Sequence, residues 1–180
     1  MERHDGIAIG VLEDFCGIKF GASLSRYQGD LLDYTLQDAN DVVTSAASDG
    51  AIVKLVVTDQ FPMITTVVLA SRFDCRVVGV GFGRMLFGDA DEALNDACHD
   101  LESRFGVAPA PSEGSYTLTF YDVLQHRMKS QIILFASDDK VWSWARDVDL
   151  YNKMVTERER EKARLDEEHE KFLSSLNAID

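Results

Sequence analysis

Between Ala51 and Phe87 three β-like runs follow one another with no helix among them: AIVKLVVT, ITTVVLAS and CRVVGVGF, each rich in β-branched residues. Short pieces carrying Asp59, Pro62, Arg72 and Asp74 separate them, which predicts a meander of three strands. A second block follows later in the chain. SYTLTFYD alternates Tyr116, Leu118 and Phe120 against Thr117, Thr119 and Tyr121, and MKSQIILFA and KVWSWARDV come after it, joined by the turn residues Ser137, Asp138 and Asp139. Strands that come in blocks, instead of alternating with helices, belong to an α+β architecture with antiparallel sheet.

The segment between the blocks, GDADEALNDACHDLESRFG, places Ala90, Leu94, Ala97, Cys98, Leu101 and Phe105 three and four apart, the spacing of one apolar helix stripe. Asp89 is positioned to cap its start with Glu92 three residues on, and Gly106 stands where a left-handed C-terminal residue belongs. The prolines of VAPAPSEG, residues 107–114, end the helix and predict an extended connector across one end of a sheet. In the first fifty residues, Ile7 to Leu12 reads as a strand, and Leu24, Tyr27, Leu31 and Leu32 as a short helix weakened by Gly29. At the other end, TEREREKARLDEEHEKFLSSL has no Gly or Pro and pairs Glu157 with Arg160, Glu161 with Arg164 and Glu167 with Lys171 at helical spacing. Its apolar residues lie at its two ends, with a nearly polar middle and no sustained heptad stripe, so a long coiled coil is not expected.

The expected fold is therefore α+β: two antiparallel three-stranded meanders flanking a central amphipathic helix, with a long charged C-terminal helix. Residues 1–150 are expected to form one domain, read as a duplicated sheet-plus-helix unit, and 151–180 the charged helix. A chain cut after Val155 is expected to stay folded, since the meanders and the helix at 89–105 supply the core. Phe172, Leu173, Leu176 and Ile179 then anchor the terminal helix, either on the body or on a second chain.

Near the N-terminus, Gly17-Ile18-Lys19-Phe20-Gly21, preceded by Cys16 and followed by Ala22-Ser23-Leu24, resembles the Gly-x-x-Phe-Gly opening of a group of small, largely uncharacterised bacterial α+β proteins, many of them exported lipoproteins. The order of later elements is similar too: a helix ending near an aromatic-Gly pair, here Phe105-Gly106, then strands and a charged C-terminal helix. The group has no catalytic residues to carry over, and the resemblance implies a binding or envelope-associated module more than an enzyme. One departure is that Cys16 follows Glu13-Asp14-Phe15, which is not a lipidation context.

Acids outnumber bases 31 to 18, for a formal charge of −13. That excludes binding to a nucleic-acid backbone as the main role, because phosphate contacts need a concentrated lysine and arginine surface. No apolar run reaches the roughly 20 residues of a membrane helix. The apolar piece at the N-terminus is too short for a signal peptide's core, and Cys16, Cys75 and Cys98 are odd in number with no close pair. The expectation is a cytoplasmic protein with free thiols, exported only if a signal was removed before this numbering.

Chemistry-bearing patterns are sparse. His4, His99, His126 and His169 form no metal-spaced pair with one another or with a cysteine, so no metal site and no cofactor is expected. Cys98 and His99 point about 100° apart on a helix, one on the apolar stripe and one outside it. Gly79, Gly81 and Gly83 lack the spacing of a phosphate loop and read as a flat strand face that lets a helix or backbone come close. Asp138-Asp139 and Asp147-Asp149 read as turn and structural carboxylates.

Charge distribution carries most of the functional signal. The helix at 89–105 bears Asp89, Asp91, Glu92, Asp96 and Asp100 with no base before Arg104, a face that can steer a basic partner. The expected function is a non-enzymatic, acidic protein-binding module of inhibitor, immunity or adaptor type. It acts on a basic protein partner through Asp89, Asp91, Glu92, Asp96, Asp100, Phe172 and Leu176, with a homodimer through the C-terminal helix as one form. The alternative is a small-molecule-binding protein or enzyme with a pocket between sheet and helix lined by Tyr116, Tyr121, Trp142 and Trp144.

Overall fold

The computed structural model describes residues 6–33, 41–59, 63–137 and 139–179. In chain order the elements are β1 (Ile7–Ile9), a small hairpin of β2 (Asp14–Phe15) and β3 (Ile18–Lys19), a 3-10 turn (Leu24–Asp30), β4 (Leu31–Asp33), α1 (Asp41–Ser48), β5 (Ala51–Val56), β6 (Ile64–Ser71) and β7 (Val77–Met85). Then come α2 (Ala90–Phe105), β8 (Ala110–Ser112), β9 (Ser115–Asp122), β10 (Arg127–Ser137), β11 (Lys140–Asp147) and α3 (Val148–Asn177). The fold is mixed α+β.

Helix α2 starts and stops for local reasons. The Asp89 carboxylate accepts from the backbone N–H groups of Asp91 (2.7 Å) and Glu92 (3.2 Å), and Gly106 ends the helix at φ 76°, a conformation that costs a glycine nothing. Its stripe buries Leu94, Ala97 and Leu101.

The β strands depart from the expected arrangement. The runs β5–β6–β7 and β9–β10–β11 each pair antiparallel in sequence order, but they do not stand apart on either side of α2. Strand β7 pairs antiparallel with β11, with Gly83 opposite Trp142 and Gly81 opposite Trp144, and this seam merges both blocks into one nine-stranded sheet. Its order is β1-β9-β10-β11-β7-β6-β5-β4, with β8 also against β9. The sheet is mixed, because β1 runs parallel to β9. The connector at 107–114 contributes the edge strand β8, and the expected short helix near Leu24 is the 3-10 turn leading into β4.

Each face of the sheet has its own apolar layer. On one, α2 and the N-terminal segment (Leu12, Phe15, Ile18, Phe20) cover Val80, Leu118, Phe120, Ile132, Leu134 and Ala145. On the other, Val43 and Ala46 of α1 and Met154 of α3 cover Val67, Leu69, Trp142 and Trp144. A two-fold axis that exchanged the blocks across an antiparallel β7–β11 seam would leave both following helices on the same face. Helices α2 and α3 pack on opposite faces, so the order of elements repeats while their placement does not.

Candidate functional site

The two surfaces that the sequence singled out lie on different parts of the molecule. Outward from its buried stripe, α2 exposes Asp91, Glu92, Asp96 and Asp100. Asp89 is engaged as the helix cap, and Asp100 pairs with Arg84 on β7 at 3.4 Å. Asp91, Glu92 and Asp96 have no ion pair among the described residues, so their charge is open to solvent. His99 is exposed and sits 3.8 Å from Glu102, while Cys98 is half-buried against the core.

Beside this acidic face lies a groove that the sequence did not reveal. It has a volume of about 870 Å³ and runs between the N-terminal half of α2 and the adjoining ends of β6 and β7. Met63, Ile64, Met85, Leu86 and Phe87 form its apolar side, and Ala93, Asp96 and Asp100 its α2 wall. Phe87 is 73% exposed and Met63 48%, although both are apolar. A smaller hollow of about 330 Å³ lies farther along α2, shares Arg84 and Asp100, and includes Cys16 and Arg104. Cys16 sits at an exposed turn, yet the protein packed around its sulfur pushes the thiol up to about 11, against the pull of Arg104. At neutral pH it is protonated and a poor nucleophile.

The aromatic-lined pocket expected as the alternative does not assemble. Trp142 and Trp144 are 5% and 4% exposed, stacked with centroids 5.4 Å apart, on the face covered by α1 and α3. Tyr116 packs into the opposite layer, and Tyr121 belongs to the other side of its strand. The alternating glycines are what let the tryptophans lie flat. A Cβ on Gly81 would come within 2.6 Å of the Trp144 ring, and one on Gly83 within 2.9 Å of Trp142. The flat strand face thus admits side chains from the neighbouring strand, where a helix or backbone was expected. The Trp144 Nε1 donor is buried with no partner among the described residues, so packing rather than hydrogen bonding holds the ring.

The carboxylates of the two Asp pairs that lie among the described residues have partners within the fold. Asp147 caps α3 by accepting from the Leu150 N–H at 2.9 Å, and burial raises its acid above the ordinary value. Asp149 pairs with Arg127 at 2.9 Å and Asp139 with Lys140 at 3.2 Å, while Asp138 lies outside the described residues. Among the described residues no group of three His, Cys, Asp or Glu could hold a metal ion.

The second surface is the far part of α3. Its first turns are tied to the body: Met154 is buried, the Tyr151 hydroxyl donates to Asp49 at 2.7 Å, and Lys153 pairs with Asp74 at 3.6 Å and Arg72 with Glu161. Burial, with the Asp49 hydrogen bond, holds the Tyr151 phenol above its usual range. From Lys162 to Ile179 every residue is exposed, including Leu165, Phe172, Leu173, Leu176 and Ile179. The apolar tip, expected to anchor on the body or on a second chain, does not rest on the body among the described residues. No helix of the described residues is long and apolar enough to cross a membrane. Comparison of the chain with protein-family models, curated proteins and solved structures finds no match.

Proposed function

We propose that this is a non-enzymatic, acidic protein-binding module of the inhibitor, immunity or adaptor kind, working through the negative face of α2 and the exposed end of α3. The observation that carries the reading is the segment from Lys162 to Ile179, which stands clear of the body with five apolar side chains in water. Projecting by about 24 Å at 1.5 Å per residue, it is a rigid arm rather than a frayed end, since Arg164–Glu168 (2.9 Å) and Glu167–Lys171 (2.7 Å) support it locally. A partner that buries Phe172 and Leu176, 58% and 48% exposed, gains at most about 1.5–3 kcal/mol per side chain.

The test compares the full chain with the Phe172→Ser/Leu176→Ser variant, each immobilised in host extract at low salt, where electrostatic attraction is strongest. The expected result is a discrete protein retained by the first and lost by the second. Sedimentation of both chains shows whether that occupant is a second copy, as a dimer lost in the variant. Identical retention by the two chains, with both monomeric, removes the arm from the function.

A further inference from the structure

The groove along α2 shares Asp96 and Asp100 with the acidic face, but its apolar side belongs to no role assigned so far, and its chemistry is two-sided. Met63, Met85, Leu86 and Phe87 present apolar surface that the fold does not cover, and Phe87 and Met63 are among the more exposed large hydrophobics of the molecule. Methionine adapts its shape to whatever packs on it, and an exposed phenylalanine gains more than most residues from being covered. Facing these residues, Ala93, Asp96 and Asp100 follow one another at three and four along α2, so they line one side of two helical turns. The wall is low at Ala93 and negative at Asp96. The groove's cation, Arg84, is already paired with Asp100. Asp91 and Glu92 extend the negative field past the groove's end.

These features define the occupant. Among the described residues an anionic ligand would meet the unpaired Asp96, an arginine already held by Asp100, and His99, which sits 3.8 Å from Glu102. An extended peptide would find no free edge on β7, which is paired on both sides to its last residues: Arg84 lies between Ile64 and Val141, and Met85 is opposite Lys140. What remains is a segment gripped by side chains alone, apolar on one face and positive on its flanks. We infer that the groove between α2 and the ends of β6 and β7 is a docking site for a basic amphipathic helix of a partner protein. Apolar residues at helical spacing enter over Met63, Met85 and Phe87, and lysine or arginine flanks meet Asp96, Asp100, Asp91 and Glu92. The inference rests on the reading of the protein as a binder of other proteins, but it uses a different surface from the end of α3.

The probe is a fluorescein-labelled synthetic helix of about four turns, with leucine on one face and lysine on the rest, titrated with the full chain and followed by polarisation. The expected result is binding that a same-composition scrambled peptide and a glutamate-for-lysine peptide each weaken at least about tenfold, about 1.4 kcal/mol. Met63→Ser/Phe87→Ser is expected to weaken it by a similar factor, and Asp96→Lys to weaken it and flatten its salt dependence. Both apolar positions are exposed, so these variants keep the fold. In the unmutated chain, ¹³C-methyl signals of Met63 and Met85 should shift on titration while that of Met154 does not.

Equal binding of the scrambled peptide reduces the effect to charge alone and overturns the inference. Unchanged binding by the groove variants, or methyl shifts absent at Met63 and Met85, places the peptide elsewhere and does the same. A small molecule found in the groove by native mass spectrometry, whose removal does not open peptide binding, also overturns it and assigns the groove to that ligand. Phe172→Ser/Leu176→Ser is expected to bind the peptide like the unmutated chain. Failure of the groove therefore leaves the α3 reading standing, and failure of the α3 capture leaves the groove.

Discussion

Gly81 and Gly83 hold their places because of what lies across the strand from them. Trp144 and Trp142 are their direct partners on β11, and each indole rests where a side chain on the glycine would be. Gly81→Ala forces a methyl group into a buried ring system and is expected to cost about 1–3 kcal/mol in chemical denaturation, with a change in tryptophan emission. Gly29→Ala, where nothing lies within 4 Å, should stay within about 0.5 kcal/mol of the unmutated chain. If Gly81→Ala matches it, the rings are free to move and the seam is not set by them. Asp147 gives a prediction with pH. Burial raises its acid in the folded state, so as pH rises above 3.8 the unfolded chain gives up this proton first. Stability contributed by the group therefore falls until the folded value is passed, and stays lower at neutral pH. Asp147→Asn keeps an acceptor for the Leu150 N–H without the charge, so relative to the unmutated chain it should gain between about pH 3 and about pH 7. Asp147→Ala loses the cap as well and should be about 1 kcal/mol less stable than Asp147→Asn at neutral pH. A constant difference between Asp147→Asn and the unmutated chain across that range would show that the carboxylate is not strained by burial.

At the scale of elements, local signals were the legible ones. The cap, stripe and terminal glycine of α2 are all set by neighbours within the helix, and they appear as read from Asp89, Leu94 and Gly106. The Gly-x-x-Phe-Gly stretch also has a local account. Cys16 and Gly17 both have positive φ, at 54° and 76°, which makes the tight turn of the β2–β3 hairpin, and Phe20 is buried in the core beyond it. Helix α1 was missed because it has only eight residues and buries two, Val43 and Ala46, too few to show a period. Helix α3 divides at Glu161, the last residue tied to the body. A chain ending at Glu161 should therefore melt within about 0.5 kcal/mol of the full chain, since only exposed residues are lost. Ending it at Tyr151 removes Met154 from beneath Gly50 and Phe73 and should cost about 2–5 kcal/mol. Equal melting of both truncated chains would mean that Met154 is not part of the core, and a lost transition in the longer one that the exposed arm is.

For the whole molecule the decisive contact is the β7–β11 seam. Among the described residues it is the pairing that joins the two blocks, and apolar layers run across it on both faces. Each block alone would leave a long edge strand and apolar faces that its own helices cover only in part, a state that a few strands cannot sustain in water. Residues 41–106 expressed alone are thus expected to show no cooperative transition, whereas the full chain unfolds in one step by both far-ultraviolet circular dichroism and tryptophan fluorescence. Two separate transitions in the full chain would show that the two blocks unfold as independent units.

The candidate surfaces divide along the same line. Acidity of the α2 face and the apolar tip of α3 are properties of residues three and four apart, so composition and period alone determine them, as they determine the long strands β5–β7 and β9–β11 and the helices α2 and α3. The groove was not legible, because Met63, Phe87 and Asp96 are far apart in sequence and nothing in their own neighbourhoods marks them as neighbours. Trp142 and Trp144 share one strand face by their spacing alone, but what covers that face, α1 and α3, comes from the tertiary structure. Periodicity assigns a residue to one side of its element. Which side is covered, and which strand lies next to which, depends on contacts between distant segments, and those were decided only when β7 paired with β11.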